Sequence, residues 1–210
     1  SAIRLTRPDV VFLCAPNNPT GTPVSLETIE AAYDATDGIV LVDEAYVEFH
    51  SEGSLTASEL LPGRERLLVS RTMSKAFAFA GARVGYLLAD PAVIDALRLV
   101  RLPYHLSGIT QAAALGALEN AEVMLAMVED IRQQRDRLLQ ELPGLGYTVC
   151  ESQANFVLFG GVENPKALFE QLLSHDILIR DVGIPHHLRV TAGTEAETSY
   201  FLETLATLAR

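Results

Sequence analysis

The chain has 210 residues, 49% of them hydrophobic and 20% charged, with a formal net charge of −11. That length suits one large or two modest globular domains, and the acidity argues against nucleic acid as a partner, because phosphate contacts need clustered Lys and Arg. No apolar run reaches the roughly 18 residues of a membrane span. Ser1-Ala2-Ile3-Arg4 begins no signal peptide. Cys14 and Cys150, far apart and each beside apolar residues, read as reduced core thiols rather than a disulfide framework. A cytoplasmic protein is expected.

The apolar run Val10–Cys14 reads as a strand buried on both faces, as parallel sheets require, with nothing regular before it. The Pro/Asn/Gly cluster Ala15–Pro23 is a rigid loop at its carboxyl end. Ser25 caps a helix that carries Glu27 in its first turn and Ile29, Ala32 and Tyr33 on one face. Ile39–Val42 is a second buried strand and ends in Asp43-Glu44-Ala45-Tyr46. A polar segment from Ser51 to Arg66 leads to a third strand, Leu67–Val69, and then to the stretch from Ser70 to Gly85. Val84–Ala89 is a fourth strand, and Asp90-Pro91 opens a helix with the acid as cap and proline at the first helical position.

Beyond the loop Arg101–Ser107, an alanine-rich helix reaches about Leu118. A long amphipathic helix runs from Asn120 to Leu142, its apolar positions (Val123, Met124, Met127, Val128, Ile131, Leu138, Leu139) mostly three or four apart. Short strands at 147–150, 155–159, 177–180 and 188–191 then alternate with helices at about 165–174 and 195–209, the last opened by the capping box Thr194–Glu197. The pattern predicts an α/β domain with a mostly parallel sheet over residues 1–119 and a smaller α+β domain over 120–210, joined through the long helix. Four strands with few crossovers also resemble the second half of a larger domain.

In an open parallel sheet, ligands sit beyond the carboxyl ends of the strands. Those ends carry Asn18, then Asp43 and Tyr46, then Thr72, Ser74 and Lys75, with Arg83 eight positions on. Each has an ordinary use: Asn18 in a turn, Asp43, Thr72 or Ser74 as a cap, Lys75 with its stem packed and its amine in water. Together they suit one ligand. An aspartate at a buried strand end needs a cation, hydroxyls with an arginine suit a phosphate, and a lysine among small apolar residues suits a Schiff base. A pyridinium, a phosphate and an aldehyde belong to pyridoxal 5'-phosphate. His105 reads as a packing residue. His186 and His187 are adjacent and cannot form an i, i+4 ligand pair, so no metal site is expected.

The Asn-Pro-Thr-Gly loop, Asp43-Glu44-Ala45-Tyr46, and Ser74-Lys75 with Arg83 resemble the class I/II aminotransferases of the type I PLP-dependent transferase fold. The stretches 70–77, 179–183 and 188–194 are similar to the histidinol-phosphate branch. The resemblance implies that Lys75 holds pyridoxal 5'-phosphate and later acts as general base, that Asp43 keeps the pyridine nitrogen protonated, and that Tyr46 and Asn18 bond the ring oxygen. It implies that Thr72, Ser74 and Arg83 bind the cofactor phosphate, and that Arg189 grips the anionic end of the substrate. Arg180 is a second contact there or the partner of a carboxylate such as Asp181.

The implied activity is transamination between histidinol phosphate and 2-oxoglutarate or glutamate in histidine biosynthesis, by a homodimer when full length. Rival readings are an aromatic amino acid aminotransferase, a PLP decarboxylase of phosphorylated substrates, and a ligand-sensing domain of a transcription regulator. Relatives carry further chain before the Asn-Pro-Thr-Gly strand, which supplies more of the cofactor site, so weak cofactor binding is expected of these 210 residues alone.

Overall fold

The computed structural model describes residues 2–208; Ser1, where the signal-peptide reading begins, and Ala209, the expected end of the last helix, lie outside them. Two compact units form. One takes the residues up to Pro16 together with Val24–Ala126, the other Asn17–Pro23 with the residues from Met127 onward. Among the described residues, no helix is long and apolar enough to cross a membrane.

The first unit is organised on a four-stranded sheet in the order β1 (Val10–Cys14), β2 (Ile39–Asp43), β3 (Leu67–Thr72) and β4 (Gly85–Leu88). The first three strands are parallel, with Val10 opposite Ile39 and Val40 opposite Leu67. β4 runs antiparallel to β3, because the lysine stretch returns the chain within a dozen residues instead of crossing over as a helix.

Before β1 lies a short helix, α1 (Ala2–Thr6), where no element is expected from the sequence. α2 (Leu26–Tyr33) starts at Ser25, whose side chain accepts the Thr28 N–H. Its Ile29 packs with Val11, Val40, Val42, Leu67 and Val69 of the sheet and with Ala57 and Leu60 of a 3₁₀ turn. Ile29 is 1% exposed, a burial worth roughly 1.5–3 kcal/mol. β3 is buried on both faces, at Leu67, Leu68 and Val69, but β1 and β2 are not, contrary to the reading of their apolar runs. Successive residues point to opposite sides of a sheet; Val11 is buried while its neighbour Phe12 is 70% exposed. Only one face of β1 and β2 meets α2 and the turn.

α3 (Pro91–Val100) and α4 (Gly108–Glu119) begin at Asp90 and Ser107, each cap side chain accepting a backbone N–H, and neither helix buries a residue. The division between units falls inside α5 (Ala121–Glu141). Of its apolar stripe, Val123 and Met127 are exposed, whereas Val128 and Leu138 are buried.

The second unit is an antiparallel sheet, β5 (Thr148–Val149), β6 (Phe156–Gly160) and β7 (His187–Thr191), with α6 (Pro165–Leu173) and α7 (Glu195–Leu208). Its core joins Leu138, Val157, Phe159, Leu172, Leu188, Phe201 and Leu205. The capping box of α7 forms: Thr194 N–H donates to Glu197 Oε2 at 2.7 Å, and Glu197 N–H donates to Thr194 Oγ1 at 3.3 Å. The strand expected at 177–180 reduces to a single bridge between Arg180 and Arg189. One charged side chain is buried against the amphipathic reading of α5: Arg135, 2% exposed, donates to Asp136 Oδ1 and reaches the Ala154 carbonyl.

Candidate functional site

In the first unit the expected residues gather at the carboxyl ends of β2 and β3. Parallel pairing sets Asp43 opposite Ser70. The Ser70 hydroxyl donates to Asp43 Oδ1 at 3.3 Å, and the Ala45 N–H donates to the same oxygen at 3.2 Å, which orients the carboxylate at the strand end. Cys14 ends the next strand opposite Asp43. It is exposed and Cys150 is partly buried, so neither is the core thiol expected from its neighbours. The reason is the open face of β1.

Thr72 closes β3. Its hydroxyl lies 2.9 Å from Ser74 Oγ and 3.2 Å from the Val84 carbonyl, and it accepts the Ser74 N–H at 3.1 Å. Those bonds, with Met73 N–H to the Val84 carbonyl at 3.1 Å and Phe79 N–H to the Met73 carbonyl at 3.1 Å, fold the lysine stretch into a compact loop. Ala78 and Arg83 take left-handed backbone, φ 52° and 56°, a conformation that costs a side-chain-bearing residue energy and persists where surrounding structure enforces it.

Lys75 Nζ sits over the Tyr46 ring, 5.3 Å from its centroid. Tyr46 is buried, but Lys75 is exposed. The amine is therefore open to solvent here, and of the loop's apolar residues Met73 and Ala76 are the buried ones. Arg83 is exposed as well, its guanidinium on the Ala80 carbonyl at 3.2 Å. The antiparallel return pairs Thr72 with Gly85, so Arg83 emerges two residues from the hydroxyl pair. A carboxylate, a phenol, an amine and paired hydroxyls with nearby N–H groups thus share one sheet edge. That donor set fits pyridoxal 5'-phosphate in kind: an acid for a cationic ring nitrogen, an amine for a carbonyl, hydroxyls and an arginine for a phosphate.

Asn18 belongs to the second unit. The loop bearing it is pinned by Asn17 N–H to the Thr22 carbonyl at 2.8 Å and by Gln153 N–H to the Gly21 carbonyl at 2.8 Å. Asn18 Oδ1 accepts from Arg189 Nη1 at 2.6 Å. The Arg189 guanidinium lies 4.4 Å from the centroid of the Phe156 ring, on the neighbouring strand. Arg180 and Arg189 exchange two backbone hydrogen bonds, each 2.9 Å, which sets both side chains on one side of the bridge. They line an open cavity of about 410 Å³ with Phe169, Leu178, Asp181 and Thr191. Two arginines at one opening suit an anion. His186 and His187 serve the backbone, donating from Nδ1 to the Val162 and Pro185 carbonyls; His105 is exposed beside Arg101.

Two residues near the site carry no assignment from the sequence. Glu44, 1% exposed, accepts from Arg71 Nε at 2.9 Å and Nη2 at 2.7 Å. The signal was present: a charged residue inside a strand and another at a buried strand end each need a partner.

The family described as Aminotransferase class I and II matches residues 2–205. The chain is 58% identical over 209 residues to a histidinol-phosphate aminotransferase of Paenarthrobacter aurescens (strain TC1), covering 98% of this chain and 56% of that one. A histidinol-phosphate aminotransferase of Streptomyces avermitilis is 53% identical, with 99% of this chain and 57% of the relative covered. The chain spans about half the length of the curated relatives it matches. Among solved structures, histidinol-phosphate aminotransferase from Sinorhizobium meliloti in complex with pyridoxal-5'-phosphate superposes with TM-score 0.89 at 28% identity, over 100% of this chain and 59% of that one. The aspartate aminotransferase from Thermus thermophilus with maleate gives 0.78 at 29%, over 98% and 59%. The strand-end carboxylate, the loop lysine and the paired arginines thus sit in a chain that belongs to the class I and II aminotransferases.

Proposed function

We propose that the protein is a pyridoxal 5'-phosphate-dependent aminotransferase that moves an amino group between histidinol phosphate and 2-oxoglutarate, in histidine biosynthesis. The observation that carries the chemistry is the Lys75 amine over the Tyr46 ring at the sheet edge that ends in Asp43. The substrate reading is supported by relatives at 53–58% identity that are histidinol-phosphate aminotransferases.

Bound pyridoxal 5'-phosphate supplies a reactive carbonyl carbon and a ring that takes up electron density. The chain's residues do the rest. The Asp43 carboxylate, oriented by Ser70 and Ala45, holds a proton on the ring nitrogen. Thr72, Ser74 and Arg83 bind the phosphate. Tyr46 and Asn18 bond the ring oxygen, and Lys75 Nζ anchors the cofactor and then takes and returns a proton. Arg189 binds the anionic end of the substrate: a carboxylate in glutamate, a phosphate in histidinol phosphate. Arg180 is the second contact. Residues 1–119 are assigned to the cofactor domain and 120–210 to the small domain of a cytoplasmic homodimer, with the loop Asn17–Pro23 packed in the second unit.

Full-length protein with pyridoxal 5'-phosphate should show the visible band of lysine-bound cofactor, bleached by glutamate, and should prefer histidinol phosphate over phenylalanine as amino donor. A missing band with cofactor in excess refutes the chemistry, and a preference for phenylalanine refutes the substrate.

A further inference from the structure

The ends of β2 and β3 are tied together twice, once on each face. Asp43 and Ser70 are opposite in register, and their side chains meet on one face. Side chains alternate along a strand, so the next residue of each, Glu44 and Arg71, meets on the other. That second contact is the stronger. Glu44 Oε2 accepts Arg71 Nε at 2.9 Å and Nη2 at 2.7 Å, and Glu44 Oε1 accepts the Ala57 N–H at 2.6 Å. Arg71 Nη2 extends to Thr56 Oγ1 at 3.1 Å and Ser58 Oγ at 3.4 Å. Burial opposes the Arg71 charge, but Glu44, with help from the Tyr86 hydroxyl on β4, more than offsets it and raises the guanidinium's pKa.

A second carboxylate, Glu48, feels the same arginine. Burial pushes its pKa up despite the attraction of Arg71, and the Glu44 charge adds to the rise. One cation therefore faces two acids and serves Glu44.

We propose that Arg71 is a positioning residue: its fork on Glu44 locks the ends of β2 and β3 from the face opposite the ligand, and so sets the spacing between the Asp43 carboxylate and the Lys75 amine. Glu44 follows Asp43 directly, and Lys75 lies four residues beyond Arg71. No regular ladder continues past Thr72 to hold the loop on β2. The Glu44 N–H to the Ser70 carbonyl, at 2.9 Å, is the last backbone bond between the two strands' ends. A lysine at 71 keeps the charge but cannot hold Glu44 and the 56–58 turn together, because its ammonium is a point and not a planar fork.

The inference rests on the proposed cofactor chemistry, and the test separates the two. Wild type, Arg71→Lys and Glu44→Gln are compared in the full-length protein loaded with pyridoxal 5'-phosphate, reading turnover, the cofactor dissociation constant and the pH titration of its visible band. Ile29→Ala, in the core of the same unit and making none of this network's hydrogen bonds, matches them for lost stability. A displacement of catalytic groups by about 1 Å can cost on the order of a hundredfold. R71K and E44Q should therefore slow turnover about tenfold to a hundredfold, weaken cofactor binding and move the band's titration, while I29A lowers the melting temperature and moves none of these. E44Q keeps the shape and the acceptor for Ala57, so it reads the effect even where R71K yields no folded protein. Wild type without the band refutes the cofactor chemistry and the latch with it. Wild type with the band, and E44Q with the wild-type constant and titration, refutes the latch alone.

Discussion

Gly21 is the most informative single position in the loop that carries Asn18. Its φ is +79°, and a Cβ there would lie 2.1 Å from Ser152 Oγ and 2.6 Å from Ser152 Cβ. Ser152 cannot step aside freely. Its hydroxyl donates to the Phe156 carbonyl at 2.6 Å and accepts the Ala154 N–H at 3.2 Å, both in the interior. Left-handed backbone costs an alanine roughly 1–2 kcal/mol, of which about 0.4–1 returns through the stiffer unfolded chain. Displacing Ser152 forfeits two hydrogen bonds at roughly 0.5–1.5 kcal/mol each. Gly21→Ala should thus cost about 2–3 kcal/mol in docking the loop. The assay is amide hydrogen exchange at Gln153, whose N–H donates to the Gly21 carbonyl at 2.8 Å. It should exchange roughly 30- to 140-fold faster, since about 1.4 kcal/mol is a factor of ten. Ser152→Gly removes both clashing side-chain atoms, so in that background Gly21→Ala should cost only about 1 kcal/mol, the backbone share. Wild-type exchange at Gln153 in the single variant would refute the steric reasoning.

Other substitutions test the chemistry and the electrostatics separately. Lys75→Ala should abolish the visible band of bound pyridoxal 5'-phosphate while leaving weaker, reversible binding through Asp43 and the hydroxyl pair, measured by fluorescence titration; undiminished activity would show that the lysine has another role. Asp43→Ala removes a fixed charge from the site and should slow turnover about 10²–10³-fold, with wild-type rates indicating a purely structural aspartate. In the folded chain the Glu48 carboxyl keeps its proton above the ordinary 4.5, chiefly through burial. Between that value and its folded pKa the native state binds more protons than the unfolded one, so stability falls as pH rises. Glu48→Gln should accordingly melt higher than wild type at about pH 8, and the gain should vanish below 4.5; equal melting temperatures across that range would contradict the assignment.

Much of the fold is legible because its signals are local. Ser25, Asp90 and Thr194 each read as caps and each accepts a backbone N–H at the start of its helix. The apolar runs read correctly as strands, since length and β-branching decide that. What they hide is which faces are covered: Phe12 and Val40 sit in similar runs, yet one is exposed and the other buried, and only the partners of each face determine this. The direction of β4 depends on how the chain returns after Thr72, which no propensity encodes. Arg135 breaks an otherwise amphipathic stripe because the interior next to it contains the Ala154 carbonyl, a contact made across nineteen residues.

The site divides along the same line. Asp43, Tyr46, Thr72, Ser74 and Lys75 are recognisable because strand ends collect ligand-facing groups, and a lysine in a small apolar loop is rare. Arg71 and Glu44 lie in the same two stretches and escape notice, because their meaning depends on register. With Asp43 opposite Ser70 on β3 and Cys14 on β1, its side-chain neighbours across the strands are a hydroxyl and a thiol, and Arg71 is spent on the opposite face by Glu44. A slip of one residue exchanges the faces. It would bring the guanidinium to Asp43 and neutralise the charge that a cationic ring nitrogen requires. The register that buries one ion pair is therefore the same feature that leaves the Asp43 carboxylate without an arginine, and the pair on the hidden face is what makes a slip costly.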